Sequence, residues 1–447
     1  MRADSVAAGV SSKRRIDVFA PWVGFPIAYG LVFGIGSLNV FPAQPVGYQW
    51  ALFMRPVALH TPILAGIGLV AYFASSFGVV RLERYFTRSR PHCEWTPNRT
   101  QRVVLVASAV ALAGVIVILH RGGVPLLSGH TLTSRLTTTE RSGFLVAVYN
   151  TAVQVAAAFA TILALRISRS RLTLALWLIV LAFVSITSLL QGGRATLAEV
   201  ALLVVPLIQY SSGQFFRVRH AAVLGLVVVV AAGLFGFWRE SQFHGSVGNY
   251  QQTYARAGVP VAVQPIAEPY EYMRDTVVAF STLVDLVPSH FPFQLGKEFM
   301  GGASAFLPGH HDTPDVLVKR LLGLQFTTGV GTPPSLLGIF YLDFGAAGIV
   351  VGMAALGTLL QALYSRHVSS GSTGSALAYS YAVKVAFWSL FVGPFPYATT
   401  LIVPIALFLG ADYASHGATP GKRPVWLLGG VAAVLLSFVW AVFKYQR

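Results

Sequence analysis

The arginines that flank long apolar stretches are the residues of this sequence best suited to bind an anion. A guanidinium group presents five N–H donors in a planar fork and stays charged at any working pH. Arg194 is the most distinctive, because it follows Gly192 and Gly193 and precedes a stretch that predicts a helix. Free backbone N–H groups at a helix N-terminus, a close backbone approach and a guanidinium together fit phosphate or pyrophosphate. The other arginines in comparable settings are Arg121, Arg135, Arg141 and Arg239.

Simpler roles stay open for each of these arginines. Arg121, Arg135 and Arg141 share one short segment and suit solvated or interfacial positions equally well. Arg194 also suits an ordinary tight turn, and Arg239 can pair with the glutamate that follows it. The spacing therefore gives candidates for an anion site, and their convergence depends on how the helices pack.

Three ionisable residues, Glu199, Asp343 and Lys384, fall inside apolar stretches. A charge within the membrane is costly, so each is a functional hypothesis by default. A buried ion pair between Asp343 and Lys384 is the structural alternative. Asn150 and Gln154 are four residues apart on one predicted helix, which favours hydrogen bonds to other helices over the lining of a polar cavity.

A histidine cluster in the most polar segment is a further candidate. His310 and His311 are followed by two aspartates, but adjacent histidines rarely converge on one ion, so a general base is favoured over zinc. Nucleotide-binding and zinc-protease motifs are missing from the sequence, and its one cysteine excludes a cysteine-based cluster. We therefore predict no metal and no cofactor.

The composition identifies the elements that must position these residues. Of the 447 residues, 55% are hydrophobic and 11% are charged, and the mean hydropathy is +0.65. Soluble domains carry about 25% charged residues, so an ordinary soluble enzyme is excluded and an all-α polytopic membrane protein is predicted. The net charge of +16 is explained by loop charges that orient the chain, so nucleic acid is not a predicted partner.

Long apolar stretches predict about eleven transmembrane helices and one large exterior loop between spans seven and eight. The chain then divides into spans one to seven (1–238), the exterior loop (239–335) and spans eight to eleven (336–447). The predicted spans are 19–40, 57–80, 103–119, 144–165, 172–190, 195–210, 221–238, 336–363, 375–391, 395–414 and 425–443.

The basic residues predict the orientation. With the N-terminus in the cytoplasm, 18 of the 32 Lys and Arg residues fall in cytoplasmic segments and 7 in short exterior segments or the tail. Every predicted inner loop is basic, as the positive-inside rule requires, and the C-terminus is exterior. The exterior loop is rich in Tyr and Phe, and its stretch 273–287 has helical periodicity, which predicts a surface helix or a cap.

Three segments carry a family resemblance in their order and predicted sidedness. The first runs from Pro125 to Arg135, the second is GGRATL from Gly192 to Leu197, and the third is GTPPSLLGIFYLDFGAAGIVVG from Gly331 to Gly352. Together they resemble the Wzy-type O-antigen polymerases, the oligosaccharide repeat-unit polymerases of bacterial envelopes. Gly193 and Ala195 replace two positions of the family's turn in the second segment, and in the third Ile339 and Asp343 stand where the family has Glu and Asn.

The resemblance implies a glycosyltransferase of the bacterial plasma (inner) membrane that polymerises polyprenyl-pyrophosphate-linked oligosaccharide repeat units on the exterior face. A flippase and a chain-length regulator are implied partners, beside the lipid bilayer and the lipid-linked substrate. The implied pyrophosphate ligands are Arg135 and Arg194, followed by Arg121, Arg141 and Arg239. The implied bases for the acceptor hydroxyl, in falling order, are Asp343, Glu140 and His310.

Two other functions compete with this prediction. An O-antigen-ligase-like transferase would use the same donor and pass the glycan to a different acceptor. A flippase or exporter of lipid-linked sugars would bind the substrate without catalysis. Transporters place polar groups near the midplane and show repeat symmetry, whereas the candidate residues here cluster on one predicted side and no repeat is evident.

Overall fold

The computed structural model is all-helical in the parts of the chain it describes. These are residues 17–38, 57–83, 95–124, 131–191, 194–212, 259–301, 314–321, 334–393 and 398–415, with a few single residues between 230 and 255. Seven helices are long and apolar enough to cross a membrane, and two shorter apolar helices accompany them. The protein is therefore an α-helical membrane protein.

Eleven helices are labelled in chain order within these residues. Helix α1 continues from its α-helical part into a π-helical turn, and α4 ends in the same way at Leu163–Ile167. The helices are α1 (Gly24–Ile35), α2 (His60–Glu83), α3 (Pro97–Gly122), α4 (Thr131–Ile162), α5 (Arg171–Leu190), α6 (Arg194–Ser212), α7 (Gln264–Leu286), α8 (Pro314–Leu321), α9 (Ser335–Ser370), α10 (Thr373–Val392) and α11 (Ala398–Ser415).

Nine of the eleven predicted spans correspond to helices of the structure. Helices α2, α3, α4, α5, α6, α9 and α10 contain the seven long candidates, while α1 and α11 are the two shorter ones. Most of 221–238 and all of 425–443 lie outside the described residues, so the count of eleven stays a prediction. Hydropathy locates these helices because each apolar stretch is long enough to span on its own.

Helix α4 is the central element of the bundle. Its membrane segment Leu145–Ile167 is 72% buried within the protein, against 22% for the corresponding segment of α2. Small side chains on α4, among them Ala156, Ala157 and Ala158, let neighbouring helices approach closely. Polar residues on α4 therefore face other helices, away from lipid.

Contacts of α7 bring one set of helix ends together, which we call the outer end. Arg274 on α7 is 2% exposed, and its Nη1 donates to the carbonyls of Gly36 and Ser37 at 3.1 and 3.3 Å, just past the end of α1. A cation there satisfies carbonyls that the helix leaves free. The hydroxyl of Ser281 accepts a bond from the backbone N–H of Ala58, just before α2. The predicted surface helix thus packs across several outer ends.

Other contacts define the opposite, inner end. The Asp17 carboxylate, before α1, accepts bonds from Gln209 Nε2 at 2.6 Å and the Tyr210 hydroxyl at 3.2 Å, both near the end of α6. The backbone N–H of Thr96, before α3, donates to the carbonyl of Ala414 on α11. The helix termini that meet at the outer end are those predicted to be exterior, and the termini that meet at the inner end are those predicted to be cytoplasmic. Which end faces the cytoplasm stays a prediction.

Candidate functional site

A buried ion pair joins α6 and α10 within the candidate membrane spans. Lys384 Nζ lies 2.6 Å from Glu199 Oε2, and the two side chains are 1% and 10% exposed. Gln154 of α4 donates its Nε2 to the same Glu199 oxygen at 3.0 Å. The ring centroid of Tyr381 lies 5.5 Å from Lys384 Nζ. Three helices therefore converge on one carboxylate, which we call the polar triad (Gln154, Glu199, Lys384).

The structure pairs these residues differently from the predicted alternative. Lys384 does not pair with Asp343; its partner is Glu199, because α10 packs against α6 at this depth. The predicted interhelical hydrogen bonds of α4 are confirmed, since Gln154 reaches Glu199 and Asn150 accepts a bond from Thr196 Oγ1 at 3.0 Å.

The polar triad lies below the start of α6. Glu199 is five residues into the helix, which places it about 8 Å along the axis from Arg194. The bond between Asn150 and Thr196 lies between the two levels, one turn nearer the outer end. Polar groups at two successive levels, the Asn150–Thr196 bond and then the triad, therefore form a row inward from the N-terminus of α6.

Some buried polar atoms beside the triad have no hydrogen-bond partner in the structure. Gln154 Oε1 and the hydroxyl of Ser380 are two of them, and both residues are 0% exposed. Trp388 Nε1 is a third, one turn from Lys384 towards the outer end of α10. Since buried polar groups are normally paired, these atoms suit bound water or a polar ligand group.

The predicted anion-binding arginines are placed on different parts of the outer end. Arg194 is the first residue of α6, one residue before the predicted span at 195–210, but its side chain and both preceding glycines lie outside the described residues. Arg121 is exposed in the last turn of α3. The structure thus confirms a helix starting at Arg194 and leaves the contacts of the guanidinium as a prediction.

The segment that carries Arg135, Glu140 and Arg141 is helical, although it lies between the predicted spans 103–119 and 144–165. It forms the first turns of α4, which begins at Thr131 and runs unbroken into the central span. Helical register puts position 135 and position 141 about 120° apart, so they do not share one face. The side chains of 131–144, like Arg239 and His310 altogether, lie outside what the structure describes.

Helix α9 is broken at Gly345, inside the third segment of the family resemblance, Gly331 to Gly352. Gly345 has φ 66° and ψ −153°, a conformation essentially restricted to glycine. The break frees two carbonyls, and the N–H groups of Gln294 and Leu295 bond to Leu342 and Asp343 there at 3.0 and 3.1 Å. The segment after α7 is thereby attached to the broken helix.

The Asp343 carboxylate completes this attachment. Its Oδ1 accepts the N–H of Glu298 at 3.1 Å and its Oδ2 accepts the N–H of Phe299 at 2.7 Å, and the residue is fully buried. The rings of Phe299 and Phe340 stack beside it, with centroids 6.0 Å apart. Because both carboxylate oxygens already accept backbone hydrogen bonds, Asp343 becomes the last choice among the predicted bases. In the structure it holds the segment after α7 against α9.

Replacing Gly345 by alanine is expected to destabilise the protein by about 1–3 kcal/mol, the cost of a backbone strain that glycine avoids. A Cβ there would also lie 3.0 Å from Cζ of Phe293. Thermal unfolding of the purified protein in detergent measures the effect. Gly66→Ala on α2 is the matched control, because its added Cβ meets no atom within 4 Å and its helical backbone suits alanine. Equal stability of the two variants would contradict the assignment.

Sequence reasoning missed several of these features. It found Glu199 and Lys384 separately but not their pairing, although opposite charges in two spans were the available signal. It did not single out Arg274, whose position in an amphipathic helix after a glutamate and two tyrosines gave no sign of burial.

Burial raises the pKa of the adjacent Asp275 to about 7, and the positive charge of Arg274 opposes this rise.

Comparison with known proteins adds no relative. No protein-family model, no curated protein and no solved structure matches the chain. The class that the fold defines is an α-helical membrane protein with a buried polar triad and a helix broken at Gly345.

Proposed function

We propose that this protein is a membrane glycosyltransferase that polymerises polyprenyl-pyrophosphate-linked oligosaccharides on the exterior face of the bacterial plasma membrane. The observation that carries the proposal is the start of α6. There Arg194 opens a helix at the outer end, and a row of polar residues that ends at the buried Glu199–Lys384 pair lies one to two turns further inward. A helix N-terminus and a guanidinium suit the pyrophosphate, and the polar row suits hydroxyl-rich sugars.

The proposed reaction is substitution at the anomeric carbon of the growing chain. An acceptor hydroxyl of the next lipid-linked unit forms the new C–O bond, and the bond to the polyprenyl pyrophosphate breaks. The pyrophosphate leaves with the bonding electron pair, and a base takes the hydroxyl proton. Fixed cationic donors stabilise the charge that develops on the leaving group, which is the interaction with the largest effect on such a step.

Among the arginines, Arg194 and Arg135 remain the first choices for holding the pyrophosphate, with Arg121, Arg141 and Arg239 behind them. Helical register places position 135 within about 60° of Asn150, whose side chain belongs to the polar row, and position 141 on the opposite side. For the base, Glu140 and His310 are preferred to Asp343, because the Asp343 oxygens already accept two backbone bonds.

An exporter of lipid-linked sugars is the second candidate, favoured by one observation. Polar groups occur at both ends of α6, with Glu199 and Lys384 towards the outer end and Asp17 bonded to Gln209 and Tyr210 at the inner end. A transport path needs polar groups on both sides of the membrane midplane, whereas a transferase site needs them on one.

The deciding experiment uses the full-length protein in nanodiscs with a polyprenyl-pyrophosphate oligosaccharide from its host. Products are separated by size, with and without EDTA, and a ladder of repeat units is the expected result in both. The same substrate in one leaflet of a proteoliposome tests transport. Movement across the bilayer without a ladder would favour the exporter, and a single transfer to a different added acceptor would favour a ligase.

A further inference from the structure

A cavity opens at the inner end, between the end of α4, the start of α5 and the last turn of α6. Its volume is about 350 Å³. The three helices are candidate membrane spans that end or begin here, at Ile167, Arg171 and Ser212, so the cavity lies at a membrane surface. Its lining includes Leu165 and Leu174 on the apolar side and Arg169, Ser170, Arg171 and Ser212 on the polar side.

Local backbone geometry forms this cavity. The last turn of α4 is π-helical over Leu163–Ile167, and single π-helical turns are frequent at functional sites. Arg169 follows with φ 47°, an uncommon conformation for a residue that is not glycine. Its Nε donates to the carbonyl of Leu165 at 2.8 Å, which holds the guanidinium against the cavity wall.

The charge of the lining is of one sign. Arg169 and Arg171 are both exposed, and the described residues that line the cavity include no acidic side chain. Arg166, one turn earlier, is engaged elsewhere, since it donates to the carbonyls of Tyr210 and Gly371. Two guanidinium groups beside leucine side chains match a ligand with an anionic group and an attached apolar part.

We infer that this cavity binds the head group of an anionic phospholipid, with its phosphodiester at Arg169 and Arg171 and its first acyl carbons at Leu165 and Leu174. Basic pockets between helices at the cytoplasmic surface are a recognised form of lipid recognition. The phosphate chemistry alone would also fit free phosphate, but the apolar half of the lining and the position at the membrane surface favour the lipid. The inference is independent of the proposed glycosyltransferase activity.

The test is lipid binding to the delipidated full-length protein, followed by native mass spectrometry. Phosphatidylglycerol is compared with phosphatidylcholine and with inorganic phosphate. The double variant Arg169→Gln, Arg171→Gln is expected to bind phosphatidylglycerol about 30-fold more weakly, since one basic residue near an anionic lipid contributes a factor of about 5. Arg366→Gln, an exposed arginine of the same inner end outside the cavity, is the matched control and should retain binding.

A second variant keeps the test valid if the double variant is unstable. Leu174→Trp leaves both arginines in place and narrows the cavity at a residue that is 42% exposed, so it should weaken lipid binding without loss of charge. Three results would each overturn the inference: equal binding of the two phospholipids, equal losses in the control and the double variant, or displacement of phosphatidylglycerol by millimolar phosphate.

Discussion

Replacing Lys384 by methionine is expected to destabilise the protein by about 3–5 kcal/mol, the usual cost of removing one partner of a buried ion pair. The change leaves the Glu199 carboxylate buried with Gln154 as its remaining donor. Helices α4, α6 and α10 meet at this carboxylate, so the loss affects packing of the whole bundle centre. Thermal and chemical unfolding of the purified protein in detergent measure the difference.

The double variant Lys384→Met, Glu199→Leu separates charge from packing. Removing both charges also removes the uncompensated carboxylate, so most of the lost stability should return. Lys297→Met, at an exposed lysine, is the matched control and should lie within about 0.5 kcal/mol of the native protein. A double variant as unstable as the sum of its single changes would show that the pair is not coupled.

The helices that the sequence predicts well are those whose length and apolarity depend on a single apolar stretch of the chain. The predicted spans at 172–190 and 375–391 match α5 and α10 to within a few residues, because length and apolarity decide them. The helical extension of α4 before Leu145 was missed since Thr131–Glu140 is rich in threonine, a weak helix former. Its helical state therefore depends on its continuity with the span.

The sequence identified several residues of the candidate site but not the partners with which they interact. Glu199 and Lys384 stood out because charges in apolar stretches are costly, but their pairing depends on which helices are neighbours. Asp343 was predicted to be a base. Its carboxylate instead accepts hydrogen bonds from two backbone N–H groups, which the sequence could not indicate because they belong to a segment distant along the chain. Gly345 gave no signal within a sequence that otherwise reads as one continuous helix.

The helix break and the polar triad lie on different helices but act on the same outer end. The break attaches the segment after α7 to α9, and α7 itself contacts the outer ends of α1 and α2. The triad fixes α6 against α4 and α10 just below Arg194. The triad is therefore expected to hold the start of α6 rigid, as the proposed anion site requires, while the break fixes the segment after α7 on α9.

Substituting Arg194 by lysine is expected to lower polymer formation by about 10²–10³-fold, the usual effect of losing one preorganised donor to a developing negative charge. Lysine keeps the positive charge but lacks the planar fork that bonds two phosphate oxygens at once. Unfolding temperature should be unchanged, because the polar triad one turn deeper in α6 stays intact. Ladder formation in nanodiscs and unfolding in detergent are measured on the same preparation.

Two further variants decide what the guanidinium contributes. Arg194→Gln removes the charge as well as the fork, and Arg366→Lys at the inner end controls for an arginine-to-lysine change far from the site. If the lysine variant gave the same product ladder as the native protein and the glutamine variant gave none, a point charge would be sufficient. That result would contradict bidentate binding by the guanidinium. Native ladders from both would exclude Arg194 from the site. Loss in both, with the control unaffected, supports a guanidinium that holds the pyrophosphate as the chain is transferred.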